Sequence, residues 1–185
     1  MRKKSAGGFT LLEFLIVIGL MGILILIVTP QLLDFNKKRY LTSVAEDLSQ
    51  AFEQAQLFAA KGVQTVPGVF IKHYEVRLTR DSGDGAGYYS GYQIVRVDEN
   101  DNAVPLAVDD KEYSCPVCIY SANGASFTYR VPTGQLDNLT NDPETVSVCY
   151  PGLGSFDINF DSIGKVSIES LDDGVCSCSL VKCSP

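Results

Sequence analysis

Gly8-Phe9-Thr10-Leu11-Leu12-Glu13-Phe14-Leu15-Ile16-Val17-Ile18-Gly19-Leu20 opens an apolar run that continues to Val28, and Glu13 is its only charge. About twenty such residues at about 1.5 Å each make a helix of about 30 Å, the thickness of a bilayer's hydrocarbon core. An acidic group in that setting costs about 2.5 to 3.5 kcal/mol, so it marks function and calls for a partner. The stretch before the run, Met1-Arg2-Lys3-Lys4-Ser5-Ala6-Gly7-Gly8, is basic and ends in glycine. A cut after Gly8 would leave a free amine on Phe9, a few residues from the carboxylate and opposite to it in charge.

A secretory signal peptide carries small residues after its apolar region. Ile27-Val28-Thr29-Pro30-Gln31 offers no Ala-x-Ala-like site, so removal after the run is not expected. A plain membrane anchor fits the length, and only Glu13 argues against it. Flanking charge sets no orientation, because Arg2, Lys3 and Lys4 are matched by Lys37, Lys38 and Arg39.

Gly8-Phe9-Thr10-Leu11-Leu12-Glu13 resembles the prepilin peptidase motif of type IV pilins and type II secretion pseudopilins. The motif combines a short basic leader, a glycine, an aromatic residue, a glutamate and a long apolar helix. The resemblance implies that residues 1–8 are a cytoplasmic leader, cut after Gly8 by prepilin peptidase, and that Phe9 is then N-methylated. It implies that residues 9–29 form a transmembrane and assembly helix, with Glu13 answering the Phe9 amine. It further implies a bend at Pro30 and, at Gly22, a place where the helix melts as subunits pack. Proline in a helix removes one hydrogen bond and crowds the preceding turn, which also predicts a kink near residues 26–30. Gly19, Gly22 and Pro30 equally fit an ordinary membrane helix, in which both residue types are common.

After Pro30 the pattern becomes periodic. Leu41, Val44, Ala45, Leu48, Ala51, Phe52, Ala55, Phe58 and Ala59 recur at steps of three and four, one apolar helical face. Glu46, Asp47, Glu53 and Lys61 lie largely opposite, and Gly62 then Pro67 mark a stop. Residues 30–62 are therefore an amphipathic continuation of the first helix, docked on a headpiece of residues 63–185. There the helical period gives way to strand-like runs at 69–78, 92–97, 126–131, 145–150, 156–160 and 165–169. The clearest hairpin pairs 156–160 with 165–168 around Asp161-Ser162-Ile163-Gly164. The fold class is α+β, a long N-terminal helix packed on an antiparallel β-sheet headpiece. The C-terminal strand, acidic turn, glycine and strand also resemble the minor pseudopilin branch of the family.

All six cysteines, Cys115, Cys118, Cys149, Cys176, Cys178 and Cys183, follow the apolar helix. Their even number and placement favour disulfides in an oxidising compartment, with 15 pairings open. A bridge from the Cys176 to Cys183 tail back to the sheet would resemble the C-terminal disulfide-bounded region of pilins. Cys115-Pro116-Val117-Cys118 also has redox-motif spacing, and with Cys176 and Cys178 it could make a zinc set. Against these stand the strand-and-turn context and the competing disulfides.

The runs Asp81-Ser82-Gly83-Asp84-Gly85 and Asp98-Glu99-Asn100-Asp101-Asn102 cluster oxygen ligands of the kind calcium takes. Asp98, Asn100, Asp101 and Asn102 are the candidate ligands; a solvated turn between strands explains the same residues. The second run resembles the calcium-binding linker of cadherins over five residues. Apart from calcium, no cofactor is expected.

From Gly62 to Pro185 there are 8 Lys and Arg against 17 Asp and Glu, a balance of -9, which argues against a nucleic-acid partner. His73 stands alone, without a neighbouring nucleophile or carboxylate motif, so no enzymatic constellation emerges. The sequence reads as a structural subunit of a type IV pilus or secretion-type filament, in minor proportion. Its partners are prepilin peptidase, the membrane and other pilin or pseudopilin subunits met through the helix. Its place is the cytoplasmic membrane, single-pass with the headpiece outside, and then the filament. The alternative is a membrane-anchored extracellular binding module organised by a metal.

Overall fold

The computed structural model describes residues 10–62, 70–80, 87–114, 116–122, 124–137, 144–161 and 163–172. The chain divides into two compact units, residues 1–38 and 39–185. Helix α1, Leu11–Lys61, contributes to both.

In the first unit α1 is exposed throughout its described side chains. Large apolar groups from Leu11 to Leu26 face outward, as do Leu32, Leu33 and Phe35. This stretch is long and apolar enough to cross a membrane. Such a surface cannot remain in water, because each large side chain left exposed forgoes about 1.5 to 3 kcal/mol. The helix assignment continues through Pro30.

The second unit is built around the remaining turns of α1, where the apolar period sinks one face completely. Leu41, Val44, Leu48, Phe52, Ala55 and Ala59 are all buried. Lys61 closes the last turn and Gly62 follows at φ 58°, a left-handed position that glycine occupies without a Cβ penalty.

Two antiparallel five-stranded sheets complete this unit. The strands are β1 Ile71–Thr79, β2 Tyr88–Tyr89, β3 Gly91–Asp98, β4 Ala103–Glu112, β5 Cys118–Ser121, β6 Ser126–Arg130, β7 Leu136–Asp137, β8 Glu144–Tyr150, β9 Gly154–Phe160 and β10 Val166–Asp172. One sheet has the order β4-β3-β1-β6-β7 and the other β10-β9-β8-β5-β2. Alternate residues of both sheets, among them Tyr74, Val76, Ile94 and Tyr129, and then Ile119, Val146, Val148 and Ile158, join the helix in one core. Phe52 lies where the three elements meet, 5.1 Å from the ring of Phe127 on β6 and 4.3 Å from Phe160 on β9.

The hairpin expected around Asp161 is present. Phe160 pairs with Val166 and Ile158 with Ile168. Asp161 Oδ1 accepts from the backbone N–H of Ile163 at 3.2 Å and of Lys165 at 2.7 Å, closing the turn. Gly164 sits there at φ 83°, a left-handed position that favours glycine, and packs against the Gln56 side chain of α1.

Four strands were not anticipated. β4 carries Pro105, Asp109, Asp110 and Lys111, which hide the alternation of a half-buried strand, and it lies at a sheet edge where proline and charge are tolerated. β2 and β7 have two residues each, and β5 four, too short for any period to show.

Candidate functional site

The head of α1 is organised by Thr10. Its Oγ1 accepts the backbone N–H of Glu13 at 3.3 Å, and its carbonyl accepts that of Phe14, also at 3.3 Å. Thr10 is thus the N-cap, satisfying one of the donors that a helix start leaves open. The sequence reading passed over it, although Thr-x-x-Glu before an apolar run is the signature of a capping box. The cap fixes the backbone of Glu13 in the first turn, the place where a helix end favours negative charge.

Gly8 and Phe9 lie outside the described residues. Gly22 lies within α1, and a Cβ on it would meet no atom within 4 Å beyond the neighbouring helix backbone. Pro30 falls inside the span of α1, where it offers no N–H to the carbonyl four residues back. Glu13, Gly22 and Pro30 therefore belong to one helix, in a segment whose described side chains face outward.

Cys118 and Cys149 face each other in register across β5 and β8, both are buried, and each is disulfide-bonded. Cys115, Cys176, Cys178 and Cys183 lie outside the described residues. An oxidised Cys118 offers no thiolate to the zinc set built on it.

The run Asp98 to Asn102 is the β3 to β4 turn. Asp98 Oδ1 accepts from the N–H of Asn100 at 2.9 Å and of Asn102 at 2.8 Å, while Oδ2 accepts from Asn102 Nδ2 at 2.9 Å. The side-chain bond from Asn102, followed by the backbone bonds, holds the Asp98 carboxyl below the ordinary carboxylate value. Asp101, at φ 60°, instead meets Lys72 Nζ at 2.6 Å. The two carboxylates thus serve different partners, and the turn is closed by its own hydrogen bonds. Among the described residues no three His, Cys, Asp or Glu side chains converge as metal ligands. The candidate run at Asp81 to Gly85 lies outside the described residues.

His73 is not isolated. On β1 its Nε2 lies 2.9 Å from Glu75 Oε1, and Arg77 Nε donates to Glu75 Oε2 at 2.5 Å. Burial pushes the Glu75 carboxyl up, but the hydrogen bonds from Arg77 and His73 outweigh it and hold the group below its usual value. This is a structural bracket on the strand face turned away from Tyr74 and Val76.

Residues 3–29 match the family model for the prokaryotic N-terminal methylation motif. Two curated relatives, each a fimbrial protein of Pseudomonas aeruginosa, are 30% identical over 106 residues, covering 56% of this chain and 67% of theirs. This chain belongs to the type IV pilin family. No solved structure matches it. Membership makes the pilin a structural subunit, and the family motif covers the capped apolar head of its helix, Glu13 included. The α+β architecture agrees, since the long helix carries an apolar span at one end and a buried stripe at the other. An apolar helix of membrane-crossing length is consistent with anchoring before entry into a pilus.

Proposed function

We propose that the chain is made as a precursor with a cytoplasmic leader, cut between Gly8 and Phe9 by prepilin peptidase and N-methylated on Phe9. The mature helix then holds it in the cytoplasmic membrane with the headpiece outside, until it is drawn into a filament of pilin or pseudopilin subunits. Glu13 pairs with the Phe9 amine, of its own chain in the bilayer and of a neighbour in the filament, because a charge left alone among apolar helices is costly. The carrying observation is Glu13 as the lone charge in an exposed apolar helix whose head matches the methylation motif. The fimbrial relatives support a filament as the destination.

Intact mass of the membrane-extracted chain tests processing. A chain beginning at methylated Phe9 is expected, and one still beginning at Met1 in a host with active prepilin peptidase refutes it. Glu13→Val tests pairing, since it should enter the membrane normally and fail to enter filaments. Immunogold labelling along filaments distinguishes sparse from continuous incorporation.

A further inference from the structure

Two apolar anomalies of the second unit converge. Leu57 is 47% exposed on a helix face otherwise occupied by Glu53 and Ala60, and Ile163 is 63% exposed at the tip of the β9 to β10 turn. Together with Ala60 and Val166 they line a groove of about 640 Å³, flanked by Glu53 and Lys165. Its wall is fixed, because Gln56 Nε2 donates to the Ile163 carbonyl at 3.0 Å and Gly164 packs against the same side chain. A preformed apolar groove with one acidic and one basic rim fits an amphipathic helix bearing both charges.

The chain itself carries such a helix. Residues 11–30 of α1 already fill about 30 Å at about 1.5 Å each, so Leu32, Leu33 and Phe35 fall beyond the hydrocarbon. They are nonetheless 55%, 57% and 56% exposed. Three large apolar groups within four residues, in water, mark a contact surface. Asp34 and Lys37, 3.6 Å apart on this segment, supply the charges that complement Lys165 and Glu53.

We propose that the groove between α1 and the β9 to β10 turn receives residues 31–38 of a second copy of the chain. The inference rests on the filament reading above and names one of its contacts. Groove and segment are different patches of the same molecule, so the contact is head to tail, the kind that propagates into an open fibre when its rotation does not close a ring.

The test uses the full chain in a host that assembles it. A photo-crosslinking residue at position 163 is carried by one copy, with isotope-labelled copies co-expressed, and sheared filaments are mapped by mass spectrometry. The expected product joins position 163 to a labelled peptide from residues 31–38. Ile163→Asp, at an exposed turn tip, should lower filament yield about tenfold at unchanged membrane level and protease resistance. Glu53→Lys should lower it too, and adding Lys37→Glu should restore it. Intact filaments cross-linked elsewhere, an undiminished yield for Ile163→Asp, or no rescue by the charge exchange would overturn the groove assignment alone. Absence of the unsubstituted chain from every filament would overturn the assembly reading and this contact with it.

Discussion

Phe52 of α1 meets Phe127 of β6 edge to face, with ring centroids 5.1 Å apart and planes at 90°. Phe127 in turn lies 5.5 Å from Phe160 of β9, so three rings from three elements close on one another at the centre of the second unit. Aromatic pairs in such arrangements add about 0.5 to 1.5 kcal/mol beyond the area they bury.

Phe52→Ala should therefore destabilise this unit by about 3 to 5 kcal/mol, combining lost burial with the cavity left behind. Denaturant titration of the detergent-solubilised chain measures it. A loss under about 1 kcal/mol would mean that helix and sheets are not joined through this ring.

Thr10→Val removes the hydroxyl that receives the Glu13 amide and should weaken the first turn of α1 by about 1 kcal/mol. Hydrogen exchange at that amide should quicken about fivefold, and Thr10→Ser should restore the slow rate.

Glu75 titrates below its ordinary value in the folded chain, so its stabilisation is complete above the unfolded carboxylate range and is lost as pH falls through the folded value. Glu75→Gln should be less stable than the parent at neutral pH. The gap should narrow as pH drops from about 5 towards about 2. A gap constant across this range would show that Arg77 and His73 do not act through the charge.

The Tyr129 hydroxyl is buried without a hydrogen-bond partner among the described residues, and desolvation pushes its proton affinity up. Tyr129→Phe keeps the ring and removes the stranded donor, so stability should rise by about 1 kcal/mol. Thermal unfolding of the two chains side by side decides it.

The core face of α1 was legible because Leu41 to Ala59 repeat at helical spacing and burial follows that spacing. The β9 to β10 hairpin was legible because Asp161 and Gly164 are turn formers between alternating arms. β4 was hidden because a strand at an edge need not alternate, and Asp109, Asp110 and Lys111 look like a loop when its neighbour β3 is unknown. The partners of Asp98 and Asp101 were hidden for a related reason. Oxygen-rich spacing shows which side chains are near in sequence, whereas Lys72, which meets Asp101, comes from another strand. Thr10 is legible in the motif, since Thr-x-x-Glu before an apolar run marks a helix start and its hydroxyl receives the Glu13 amide.

The same β4 has a consequence for life in a crowd. A filament holds many copies of one sheet border at close quarters, the condition under which exposed strands zip together into aggregates. Pro105 has no N–H to lend to that border, and the exposed charges of Asp110 and Glu112 would have to be desolvated before another strand could pair there, while at the opposite border β7 ends after two residues. Identical headpieces can then stand side by side as separate bodies rather than fuse into one continuous ribbon.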